Sequence, residues 1–185
     1  MDINLLIARL EAEDAADGDL LADLQAVTTS DDPRRAEPLI RALKFRLPDI
    51  EDDDNLGLDI RWMAACALGS LRDPGAVPAL ADALLEHDED EIGRAAAWAL
   101  GAIGDRSAAS ALQEAIRRQD GGGRWEQAAY ALARLDNPEL DVVLDDLREW
   151  RISGAPGLAP MPRGPEIRER RLWDNQFTGC DERPG

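Results

Sequence analysis

The sequence predicts an all-α fold: an α-α superhelix, or solenoid, of about four helical-hairpin repeats followed by a non-repeat C-terminal tail. Three observations predict it. The first is a constant register. Residues 60–80 recur as 92–112, and a looser third copy runs over 124–144. The step of 32 carries Gly69 to Gly101 to Ala133, Asp73 to Asp105 to Asn137, and Leu80 to Leu112 to Leu144. A fixed period of this size marks units that bury their apolar faces only by stacking on neighbours. The second is apolar spacing. Ala64, Ala65, Leu68 and Leu71 recur as on one face of a helix over 60–71, and alanine both favours helix and lets helices approach closely. The third is the punctuation Asp73-Pro74 between two helical patterns. An Asp carboxylate accepts the free N–H groups of a first helical turn, and Pro at the first helical position gives up an N–H that has no partner there.

The elements follow in order. Ile3, Leu6, Ile7 and Leu10 outline an amphipathic helix over 2–12, and Leu20, Leu21, Leu24 and Val27 a second. Asp32-Pro33 then caps a helix carrying Ala36, Leu39, Ile40 and Leu43. This N-terminal repeat, 18–58, is degenerate: its cap precedes Asp73 by 41 residues, and the excess, 45–58, contains Pro48, Gly57 and the acidic run 51–54 and reads as a loop. Regular repeats are expected over 59–90, 91–122 and 123–150, so the solenoid spans 1–150. Their second helices carry Ala76, Val77, Leu80 and Leu84, then Ala108, Leu112 and Ile116, then Leu140, Val143, Leu144 and Leu147, the last set after an Asn137-Pro138 cap. Residues 86–91 and 119–124 read as turns between repeats. Trp98 occupies a core position, whereas Trp62 and Trp125 fall at helix starts that suggest exposure. The tail, 151–185, opens with a Gly/Pro linker over 154–165. A short amphipathic stretch, 166–175, follows. It either caps the solenoid end or docks on another chain, with Trp173 and Phe177 as the docking candidates.

Composition narrows the function. The net charge is -17, with one lysine, Lys44, against 20 arginines. Such an acidic chain repels phosphate backbones, so no nucleic-acid partner is expected. A salt-adapted source would produce the same bias, with acidity serving solubility. No apolar run approaches ~18 residues, so no membrane span is expected, and the start, Met1-Asp2, has no basic, apolar leader. A cytoplasmic location is the expectation. Two distant cysteines, Cys66 and Cys180, form neither a disulfide framework nor a metal site, and Cys66 is read as a small core thiol. The one histidine, His87, sits in an acidic turn without a cation-loop pattern. No nucleophile–base–orienter set can be assembled around it. No cofactor, metal or catalytic residue is predicted.

A surface emerges when the second helices are projected at about 100 degrees per residue. With Leu80 and Leu84 inward, Asp82 and its equivalents Glu114 and Asp146 form an outward row of carboxylates; Glu86, Arg118 and Trp150 form a second row beside it. A solvated helix face accounts for the same polarity.

The stretches Ala-Ala-Cys-Ala-Leu-Gly-Ser-Leu-Arg-Asp-Pro-Gly-Ala-Val-Pro-Ala-Leu (64–80) and Ala-Ala-Trp-Ala-Leu-Gly-Ala-Ile-Gly-Asp (96–105) resemble the short HEAT-like repeats typified by phycobilisome (PBS) lyase proteins. The resemblance covers roughly residues 20–149. It implies second helices on the concave side, which would make the row an acidic concave ridge. Relatives of this kind include bilin lyase subunits and chaperones, deoxyhypusine hydroxylases, DNA-alkylation glycosylases and adaptors. The hydroxylases hold iron through His-Glu pairs, whereas His87 is followed by Asp88; the glycosylases need a basic groove. The expectation is therefore a non-catalytic scaffold or adaptor whose partner, a basic peptide or protein surface, meets Asp82, Glu86, Glu114, Arg118, Asp146 and Trp150. Two alternatives stay open: a lyase or chaperone-type subunit acting on a tetrapyrrole-carrying or modified protein, and a structural self-assembling subunit. The oligomeric state is not legible.

Overall fold

The computed structural model describes residues 2–12, 20–46, 56–86, 90–118 and 123–135. Their regular structure is helical throughout: α1 (Ile3–Glu11), α2 (Leu20–Thr28), α3 (Ala36–Ala42), α4 (Leu56–Leu71), α5 (Val77–Leu85), α6 (Asp90–Ile103), α7 (Ala109–Arg118) and α8 (Arg124–Arg134). The expected second helix of the third repeat, the 137–138 cap, His87 and the whole tail, with Trp173 and Phe177, lie outside the described residues.

The helices stack as an α-α solenoid. α4, α6 and α8 pack in one row, and α5 and α7 lie beside each other in the other row. The closest partnerships between rows are α3 with α4, α5 with α6, and α7 with α8. Each second helix therefore packs hardest on the first helix of the following unit. The core is one continuous cluster from Ile3 to Leu135. Leu24, Leu39, Ile60, Leu68, Leu80, Leu84, Leu100, Leu112, Ile116 and Leu132 are fully buried within it.

Alanine and glycine set the spacing of the first-helix row. Ala64, Ala65, Ala95, Ala96, Ala97, Ala99, Ala128 and Ala131 are all buried without exposure. Gly69 is where α4 meets α6: a Cβ there would stand 2.5 Å from Trp98 Cζ3 and 2.8 Å from Ala99 Cα. Backbone on one side and an indole on the other leave no room for a methyl group.

The repeated Asp makes the same turn three times. Asp32, Asp73 and Asp105 each accept a hydrogen bond through Oδ1 from the N–H two residues on, all at 2.8 Å. Each backbone carbonyl also accepts from the third residue on, at 3.1 Å. That i→i+3 pattern is a 3-10 turn. These residues therefore cap 3-10 turns, Pro74–Ala76 and Arg106–Ala108 in the regular repeats, and the α-helix proper begins behind them. The α4 and α6 ends that precede these turns close with a left-handed residue, Arg72 (φ 53) and Gly104 (φ 78), one repeat step apart. Hydrogen bonds from Ser107, its backbone N–H foremost, hold the Asp105 carboxyl below its ordinary range.

Several expectations are corrected. The stretch 45–58 is not all loop. Phe45 is 2% exposed and belongs to the core, held by its N–H donating to Ala42 O at 3.1 Å. Leu56 to Leu58 are the first turn of α4, because nothing between Leu56 and Leu71 interrupts the helix. Asp90 and Glu91 are the first turn of α6 rather than a turn between repeats, where their charges face the positive end of the helix dipole. Trp62, Trp98 and Trp125 are all half-buried and packed on the core, so Trp98 is less buried, and the other two less exposed, than their positions suggested. An indole is too large to disappear between Ala-spaced helices. Cys66 is buried as expected, but disulfide-bonded. Burial alone does not separate a core thiol from half of a bridge. The chain's other cysteine, Cys180, lies outside the described residues.

Two predictions follow from these contacts. Gly69→Ala should lower stability in urea unfolding by about 1–3 kcal/mol, the usual cost of overpacking, with a native far-UV spectrum. Asp105→Ala should be less stable than wild type at neutral pH. The depressed carboxyl contributes above its unfolded value and ceases to as pH falls through its folded one. The gap between the two curves should therefore narrow on acidification; a constant gap would contradict the charge-based cap.

Candidate binding cleft

The site is built around one helix end. α5 stops at Leu85, and Glu86 continues in extended conformation. A helix end leaves its last carbonyls without intrahelical partners, and these carry partial negative charge. Here guanidinium groups from other elements meet them. Arg118 Nη1, on α7, donates to Leu85 O at 3.1 Å. Arg124 Nη1, at the start of α8, donates to Leu84 O at 3.4 Å and also to Glu86 O. Arg124 is 4% exposed. It reaches α5 by crossing Gly93 of α6, where a Cβ would stand 2.4 Å from its Nε. Gly93 is therefore an opening for a side chain.

The Glu86 carboxylate completes the junction. Its Oε2 accepts from Arg46 Nη2 at 2.8 Å and from Arg61 Nη2. Arg61, 3% exposed on α4, also donates through Nε to Leu43 O at 2.9 Å. It thus joins the region just past α3 to the end of α5. A buried guanidinium is tolerable only when paired and hydrogen-bonded, and Glu86 supplies the charge.

Beside this junction lies a cleft of about 520 Å³ lined by Lys44, Arg46, Asp82, Leu85, Glu86 and Arg118. Three of the residues singled out from the sequence, Asp82, Glu86 and Arg118, line it together. Glu114 adjoins them through its ion pair with Arg118 Nε at 2.9 Å. Asp146 and Trp150 lie outside the described residues. Lys44, Arg46 and Leu85 were missed as site residues. Lys44 and Arg46 flank buried Phe45 at the point where the repeat register breaks, and periodicity cannot carry an argument across that break.

The charges are not those of a simple acidic ridge. Glu86 is engaged by two arginines and Glu114 by Arg118. Among the described lining residues, Asp82 and Lys44 are the two charged side chains left without an ion pair, and both are exposed. A second cleft, of about 490 Å³, is lined by Asp31, Asp32, Arg35, Leu71, Asp73 and their neighbours. Asp32 and Asp73 are already held by backbone N–H groups, and the described residues contain no His/Cys/Asp/Glu group arranged for a metal ion. No helix among them is long and apolar enough to cross a membrane.

Residues 50–133 match the family model of HEAT repeats. The match spans α4 to α8 and does not select the PBS-lyase subtype. No curated protein matches the chain. The stacked helices, the recurring Asp turn and this match agree: residues 50–133 are similar to HEAT repeats and lie within an all-helical stack.

Proposed function

We propose that the protein is a non-catalytic scaffold or adaptor that binds a basic peptide or protein surface along α5 and α7. HEAT repeats generally mediate protein–protein interactions, and the match over residues 50–133 supports a role of that class. The observation that carries the finer reading is Asp82: an exposed carboxylate without an internal partner, standing in a cleft on a chain of net charge -17. The overall field draws a basic partner toward the surface and speeds its arrival, and Asp82 is the charge free to meet it. The described residues of the lining include no hydroxyl, thiol or imidazole, which supports a binding role over nucleophilic chemistry. Asp146 and Trp150 would extend the same row.

The test uses a fluorescein-labelled peptide of alternating Lys and Leu, followed by anisotropy at low and physiological salt. Binding should weaken with salt. Asp82→Lys should weaken it about tenfold, equivalent to ~1.4 kcal/mol, and the triple reversal with Glu114→Lys and Asp146→Lys should abolish it, the circular-dichroism spectrum of Asp82→Lys remaining native. Unchanged affinity in Asp82→Lys would refute the reading. Glu86 is left out of the series because reversing it would set a like charge against the buried Arg61.

A further inference from the structure

We infer that the occupant of the cleft is a mixed-charge segment, one that brings a carboxylate to Lys44 as well as a cation to Asp82, with an apolar side chain against Leu85. This rests on the binding role proposed above and names the chemistry of the partner.

The argument starts from the local charge. Among the described residues, the lining carries three cations, Lys44, Arg46 and Arg118, and two carboxylates, Asp82 and Glu86. Arg46 and Arg118 are held by Glu86 and Glu114, at 2.8 Å and 2.9 Å. Those pairs close on themselves and offer a ligand little net charge. Among the described lining residues this leaves one cation, Lys44, and one anion, Asp82, without an ion pair. Lys44 is the only lysine of the sequence, and its flexible ammonium carries three donors without an acceptor of its own. Leu85 shares the lining and is half-buried, which leaves apolar surface for a ligand side chain to cover.

A uniformly basic segment would be attracted at long range and then meet Lys44 at contact, an unfavourable juxtaposition of like charges. A uniformly acidic one would be repelled by the body and by Asp82. A segment carrying both signs satisfies both free groups and leaves neither facing its own sign. Discrimination against single-sign peptides is then part of the design.

The experiment compares three fluorescein-labelled octapeptides on the full chain: one mixing Lys, Leu and Glu, one of Lys and Leu, and one of Glu and Leu. The mixed peptide should bind about fivefold or more tightly than the basic one, and the acidic one weakest. Lys44→Glu should weaken the mixed peptide about tenfold without weakening the basic one; Asp82→Lys should weaken both. Both side chains are exposed and unpaired, so circular dichroism should show native folding in each variant. If the basic peptide binds as tightly as the mixed one and Lys44→Glu strengthens both, the mixed-charge inference is overturned while the basic-partner reading stands. If Asp82→Lys changes neither affinity, or the acidic peptide binds best, both fall.

Discussion

The arrangement depends on guanidinium groups reaching across repeats to the ends of neighbouring helices. Stacking short helices creates many termini, and each terminus leaves carbonyls that must find donors away from their own helix. In this chain the donors come from the next units. Arg61 meets Leu43 O, Arg124 meets Leu84 O, Arg118 meets Leu85 O, and Arg134 Nε meets Gly101 O at 3.2 Å. A guanidinium suits this work because its planar fork offers five donors and binds several acceptors at once. Arg61 and Arg124 each do so. The ratio of 20 arginines to one lysine thus has a structural use, besides whatever it says about the source of the protein.

That reach needs thin helices between donor and acceptor. Gly93 lets Arg124 pass, and Gly69 lets Trp98 and the α6 backbone close on α4. The alanines hold the first-helix row close enough for both. The residues that join the stack therefore also line the cleft, because Glu86, Arg46 and Arg118 are each paired within the junction or beside it. The free groups, Asp82 and Lys44, stand on a surface whose shape is set from behind.

Much of this was legible in one dimension. The step of 32 gave the repeats, the alanine and leucine spacing gave the buried faces, and the recurring Asp gave the turns, though not their 3-10 geometry. Asp82, Glu86 and Arg118 were placed together because they share a helix face or its equivalent one unit on. What periodicity could not supply was pairing across long separations. Glu86 lies 25 residues from Arg61 and 40 from Arg46, so among the described residues an acidic row on paper becomes a set of internal pairs, with Asp82 left unpaired. Lys44 and Phe45 escaped for a related reason. They sit where the register breaks, and a position without an equivalent in another repeat carries no pattern to read.

The most direct measurement of the central claim is a double-mutant cycle on Arg61 and Glu86, read by urea unfolding. Glu86→Gln alone removes the carboxylate that the buried Arg61 meets, a change that costs several kcal/mol at a fully buried site and less here because Glu86 is partly exposed. Arg61→Met replaces that charge with an apolar side chain of similar reach. If the junction ties the repeats together, the Glu86→Gln penalty should fall by about 1–2 kcal/mol in the Arg61→Met background. Penalties that add within about 0.5 kcal/mol, the tolerance expected of independent sites, would show that the pair does not couple and that the stack is held by its apolar core alone.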